Sequence, residues 1–222
     1  MKNVNKDLQS IVAGIGRFFV FCALAALPVL VLRQDLRVLG NTLGEQSLVE
    51  LTQAGFLLVT SMAFFTLAAL RRDDRRFGVL AGAFFAVMLV REQDALFDVL
   101  LFHGAWKYIV LPIALAALAW SARNLRETLS GMARFLSSRA GTVMLLGLAL
   151  LLFYSRLFGM TGIWTSVLGD GYVRTVKNVV EETTELLGYS FVLAAGIKYC
   201  AQRVRAFARE QRKATGAARH AV

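Results

Sequence analysis

The sequence predicts an all-α, polytopic integral membrane protein: a helix bundle of about six transmembrane helices with both termini on the cytoplasmic side. Three observations predict it. Hydrophobic residues make up 57% of the 222 positions and charged residues only 18%, a balance far from that of a soluble domain. Apolar stretches recur, each about the 20 residues that a hydrocarbon core roughly 30 Å thick demands of a helix. The basic residues gather in alternate loops, which sets the orientation.

The chain reads as a single membrane domain, residues 1–222. Its first span, residues 11–32, follows Lys2 and Lys6 in the manner of a signal peptide, with Ala23-Leu24-Ala25 near the end of the apolar run; we read it as a retained helix. Spans at 48–70 and 77–101 flank Arg71-Arg72-Asp73-Asp74-Arg75-Arg76. The fourth, 105–122, is short and carries Pro112, and the fifth, 142–158, contains Arg156, so both are open to tilt, a break or partial insertion. Between them, residues 123–139 place Leu125, Leu129, Met132 and Leu136 at helical spacing against Arg123, Arg126, Glu127 and Arg134. That pattern predicts an amphipathic helix on the cytoplasmic membrane surface, and an ordinary connector packed on the bundle fits it equally. Residues 159–173, with four glycines, Trp164 and Tyr172, predict a structured loop anchored at the interface. The sixth span, 176–200, leads into a basic cytoplasmic tail, 201–222, expected to be flexible.

With both termini inside, 18 of the 25 basic residues lie on the inner side, and 10 of the 15 acids lie outside or in the outer halves of the spans. This points to a bacterial-type cytoplasmic (inner) membrane, with anionic lipid as a partner at the cytoplasmic face. The net charge of +10 raises the question of nucleic acid. The basic tail lacks the interleaved aromatics of a base-stacking surface, so no nucleic-acid partner is expected. Cys22 and Cys200 both fall in spans and read as small buried hydrophobes with no disulfide. Gly78 and Gly82 form a small-xxx-small pair, the mark of a close helix contact.

Charge inside the spans carries the functional signal, because an ionisable residue in a bilayer is costly and faces a bundle interior or a wet cavity. Glu181, Glu182 and Glu185 share one side of the sixth span with Gly188 and Tyr189. In the third, Arg91-Glu92-Gln93-Asp94 and Asp98 occupy the outer third, with Arg91, Asp94 and Asp98 on one face and an Arg91–Asp94 pair in reach. Glu50 falls at the outer edge of the second span, with Gln53 just below, and Arg156 reaches the same level from the fifth. Six acids (Glu50, Glu92, Asp94, Glu181, Glu182, Glu185) thus meet two deep charge partners, Arg91 and Arg156, with Lys177 at the rim. Desolvated carboxylates left without a partner take up protons or hold a cation.

The expectation is an outward-facing intramembrane carboxylate cluster, these six acids with Asp98, that binds a cation or proton in transport or an ion-coupled process. Because six spans are few for a carrier, a homo-oligomer or a second membrane protein is an expected partner. One alternative is a divalent-metal-dependent enzyme acting on lipid or lipid-linked substrate at the outer leaflet, its ligands drawn from Glu92, Asp98, His103, Glu181 and Glu185. So oxygen-rich a set suits Mg, Mn or Ca rather than Zn. No GxSxG or HExxH motif names a catalytic residue. A second alternative is a non-catalytic membrane subunit whose ion pairs only lock helices.

Overall fold

Most of the chain is long apolar helix, because Leu, Ala and Phe runs with few interior breakers satisfy every backbone group within the segment. The computed structural model describes residues 2–39 and 47–220, and every regular element among them is helical. Helix α1 (Lys2–Gln34) passes through Pro28 and ends in a π-helical turn, Asp35–Leu39. Its most apolar window is only 6% buried, so Phe18, Phe19 and Val29 point away from the protein. Cys22 is exposed with them, against the expectation of burial, while Cys200 is buried.

Ser47 caps α2 (Leu48–Leu70) by accepting the Glu50 N–H at 3.2 Å. After a short turn α3 (Arg75–Glu92) folds back along it, and the expected close contact is present. A Cβ on Gly78 would lie 2.9 Å from Ala68 Cβ and the Phe64 carbonyl, and the Gly82 carbonyl accepts Ser61 Oγ at 2.8 Å. The third predicted span does not run on to residue 101 as one helix. It breaks at Gln93, and α4 (Asp94–Leu100) starts anew with the Asp94 carboxylate accepting the Ala95 N–H at 2.8 Å.

Helices α5 (Trp106–Ala122) and α6 (Leu125–Leu136) meet at a bend of 103°, with Asn124 capping the second. On α6, Thr128, Gly131 and Phe135 are buried against the bundle, whereas Leu125, Leu129 and Leu136 are exposed. That leaves a leucine edge facing away from the bundle. Helix α7 (Arg139–Ala149) continues through a π-helical turn, Leu150–Tyr154, into α8 (Ser155–Phe158). Then come α9 (Thr161–Leu168), where the sequence suggests a loop, and α10 (Arg174–His220).

Among the described residues, three helices are long and apolar enough to cross a membrane (Val4–Arg37, Leu48–Leu70 and Arg139–Phe158), or four if α5 and α6 form one bent span. That is fewer than the six expected: α5 alone has only 17 residues, and charge sets two others apart. Helix α3 carries Arg75, Arg76, Arg91 and Glu92 in its 18 residues, and the apolar part of α10 begins among Glu181, Glu182 and Glu185. Helix α10 also continues past Cys200 as helix to His220, where a flexible tail was expected.

The core sits toward the end of the bundle that bears the Arg-rich turns, hereafter the basic end. Phe64 packs there against Phe77, Phe85, Phe135 and Tyr199, with ring centroids 5.8 to 6.4 Å apart. Beside this cluster the Asp74 carboxylate is fully buried. It accepts Arg203 Nε at 2.8 Å and an Arg134 Nη at 3.0 Å, with Arg71 Nε 3.3 Å away. A bare buried carboxylate would be strongly destabilising, and these guanidinium groups compensate it while tying α6 and α10 to the α2–α3 turn.

Candidate functional site

Backbone geometry sets the site before any side chain does. A Cβ on Gly147 would lie 2.8 Å from the Gly188 carbonyl oxygen, and one on Gly188 equally close to that of Gly147. Helices α7 and α10 therefore touch backbone to backbone. Just beyond this contact the π-helical turn adds a residue to the helix and rotates all that follows by about 100°. Arg156, the second residue after the turn, is thereby aimed at α10.

At this end a cavity of about 290 Å³ opens, lined by Glu50 and Gln53 of α2, Arg91 and Glu92 of α3, Asp94 of α4, Arg156 of α8, and Arg174, Lys177, Asn178, Glu181, Glu182 and Glu185 of α10. All six acids of the predicted layer line it, together with both predicted charge partners. Arg156 bridges Glu181 at 3.3 Å and Glu185 at 2.9 Å, and Lys177 Nζ reaches the other Glu181 oxygen at 2.8 Å. Glu185 is 4% exposed and has Ser155 Oγ 3.4 Å from the oxygen that Arg156 also meets. Arg91 pairs with Asp94 at 3.2 Å, as its spacing suggests, and lies 5.8 Å from the centre of the Trp106 ring.

Two acids are held differently. Glu182 accepts Gln53 Nε2 at 3.2 Å, and Glu92 accepts the Tyr189 hydroxyl at 2.9 Å. Both donors are neutral. A second cavity of about 400 Å³ shares Arg91, Glu92 and Arg156 and is otherwise walled by Met88, Leu151, Leu152 and Tyr189. It carries the polar site toward the apolar faces of α3 and the π-helical turn.

Asp98 and His103 do not join this group. The chain breaks at Gln93, so α4 is a separate helix and Asp98 does not continue the α3 face that carries Glu92. There Asp98 accepts the Gly104 N–H at 2.8 Å and faces His103 Nδ1 at 2.7 Å, closing a turn in which Gly104 takes φ +79°. The Gly104 N–H, and after it the His103 ring, hold the Asp98 carboxyl below its ordinary range. The set Glu92, Asp98, His103, Glu181 and Glu185 is thus divided between two places. Among the described residues, no three His, Cys, Asp or Glu side chains are grouped to hold a metal ion.

No protein family, curated protein or solved structure matches the chain. Its own geometry is what speaks for the site. Five residues that the sequence leaves without a role belong to it: Tyr189, Gln53 and Ser155 touch the acids, and Arg174 and Asn178 line the cavity. Tyr189 was visible as a neighbour of Glu181 and Glu185 on one helix face, whereas its partner Glu92 lies on another helix. Chemically, the cavity offers carboxylate oxygens at two depths of charge compensation: one set answered by Arg and Lys, the other by hydroxyl and amide.

Proposed function

We propose that the chain is a six-span protein of a bacterial-type cytoplasmic membrane, both termini inside, whose outward-facing carboxylate cavity binds a cation or a proton in a transport or ion-coupled process. The six-span reading counts α3 and α10 as spans, because their charges gather at helix ends or turn into the cavity and not toward lipid. Orientation follows from the basic loops.

One observation supports the binding role above the rest. The cavity lining carries six carboxylates and four cationic groups, and Glu92 and Glu182 are held by the uncharged Tyr189 and Gln53 while Glu181 and Glu185 have Arg156. A carboxylate withdrawn from water with only neutral donors is poised to take a proton or a cation. An inorganic metal cage is not favoured, since the acids are spread over α2, α3, α4 and α10 and no three of the described ones cluster. A monovalent or organic cation, or a proton, fits such a spread-out site better.

The test is binding by purified protein in mild detergent to sodium, potassium, magnesium, calcium and tetraphenylphosphonium, followed by heat release and by proton uptake in weak buffer. Wild type is expected to bind one of these or to take up protons, and Glu92→Gln and Glu182→Gln each to weaken this about tenfold or more. Melting temperature should stay near that of wild type. Equal binding by both variants, or no binding and no proton uptake by wild type, rejects the proposal.

A further inference from the structure

A second chamber lies away from the carboxylate cavity, between α1 and the rest of the bundle. Its volume is about 500 Å³, within the range of small-ligand sites. On α1 it is lined by Ala13, Gly16, Arg17, Val20, Phe21 and Leu24, which recur every three or four residues and form one helix face. Ala140 and Val143 of α7 and Ala194, Ala195 and Lys198 of α10 make the opposite walls. Phe21 and Phe191, with ring centroids 6.1 Å apart, meet near the end of this stripe remote from Lys198.

Every lining side chain is apolar or absent except two, and those two are cations. Among the described residues no carboxylate lies within ion-pair distance of Arg17 or Lys198. The Arg17 guanidinium folds back toward the N-terminal end of α1, where a Cβ on Gly14 would lie 3.8 Å from one of its nitrogens. Long basic side chains on a helix lean this way, toward the nearer membrane surface. Lys198 stands near the basic end of α10, so both charges face the same membrane side. The groove is therefore amphipathic along its length: positive at the basic end, apolar toward the bilayer middle. An inner-leaflet phospholipid has that profile, an anionic headgroup above acyl chains, and the groove opens along a helix that is itself barely covered.

We infer that the α1–α7–α10 groove is a binding site for one anionic phospholipid, its phosphate held by Arg17 and Lys198 and an acyl chain lying along Gly16, Val20 and Ala194. The leaflet that supplies the lipid rests on the orientation proposed above, but binding itself does not, so the two fail separately. The site is distinct from the carboxylate cavity, which shares none of these residues.

Full-length protein in mild detergent, supplied with equal phosphatidylglycerol and phosphatidylcholine, is examined by native mass spectrometry. Wild type is expected to retain phosphatidylglycerol in preference, Arg17→Gln with Lys198→Gln to lose that preference about tenfold, and Arg205→Gln with Arg209→Gln, away from the groove, to keep it. Gly16→Leu tests the acyl part without touching charge. A Cβ there meets no atom within 4 Å, so the new side chain enters the groove without a backbone clash and should lower retention of both lipids. Equal retention of the two lipids by wild type, or unchanged preference in the Arg17/Lys198 variant, overturns the inference. A lipid-free dimer that Gly16→Leu dissociates also overturns it, by placing a second copy on the groove. Should the double variant fail to fold, unchanged lipid retention by Gly16→Leu overturns it alone.

Discussion

Glu181 shows how narrowly one side chain can be specified. Its carboxylate takes Arg156 on one oxygen and Lys177 on the other, and it lies where a Cβ on Gly159 would be only 2.6 Å away. Nothing larger than a hydrogen fits at residue 159 without moving that carboxylate. Gly159→Ala is accordingly expected to displace Glu181 from Arg156 and to lower stability by about 1–3 kcal/mol, as overpacking does. A thermal melt in detergent reads it, and an unchanged melting temperature would show that Glu181 has room to move. Asp74 is a second such residue, wholly buried and compensated by Arg71 close by in sequence and by the distant Arg134 and Arg203. An Arg/Asp-rich turn reads the same from its sequence whether it lies in water or is folded inward, so that cluster could not be found by counting charge. The outer acids could, because a carboxylate placed within an apolar run reveals its depth at once.

Among elements, the π-helical turn at Leu150–Tyr154 has the largest effect for its size. One extra residue per turn is what points Arg156 at Glu181 and Glu185. Deleting Leu152 should return this stretch to ordinary α-helix without turning Arg156, because the lost residue and the lost bulge cancel, whereas inserting one alanine between Tyr154 and Ser155 should swing Arg156 about 100° away and abolish whatever cation or proton binding wild type shows. Binding retained by the insertion variant would mean that the aim of Arg156 is incidental. The sequence carried no signal for the turn, since π geometry here involves no Pro or Gly. The break at Gln93 was equally hidden, and it is why Asp98 and His103 fell outside the site: counting depth along a straight helix carried Asp98 into a layer that α4 reaches only through Asp94. By contrast α10 was legible as the polar wall, because its three glutamates share a face with Gly188 and Tyr189, the residues through which it meets α7 and α3.

At the scale of the whole molecule, the bundle has two unlike ends. The basic end is filled by aromatic rings and the Asp74 cluster, while the acidic end holds the cavity. All-helical architecture and membrane character were legible from composition and run length, yet among the described residues three helices, or four with the bent α5–α6 pair, are long and apolar enough to cross a membrane. The six-span proposal adds α3 and α10, whose charges gather at helix ends or line the cavity. Orientation can be measured in a background of Cys22→Ala and Cys200→Ala, with single cysteines introduced as Arg75→Cys and Gly169→Cys. A membrane-impermeant maleimide added to intact cells is expected to label residue 169 and spare residue 75. Labelling both would place the two loops on one side and refute the six-span topology.

The Asp74 cluster also bears on the order in which the molecule is completed. A chain grows from its N-terminus, so Asp74 leaves the ribosome with Arg71 beside it, long before Arg134 and longer still before Arg203. Glu50 and Glu92 likewise wait at the other end for Glu181, Glu182 and Glu185. Both ends of the bundle are completed by α10, which is synthesised after all the other helices described here. Until it arrives, α2 and α3 hold an open charge cluster at one end and half a cavity at the other, so the translation of α10 is the event that turns a loose set of helices into one closed body.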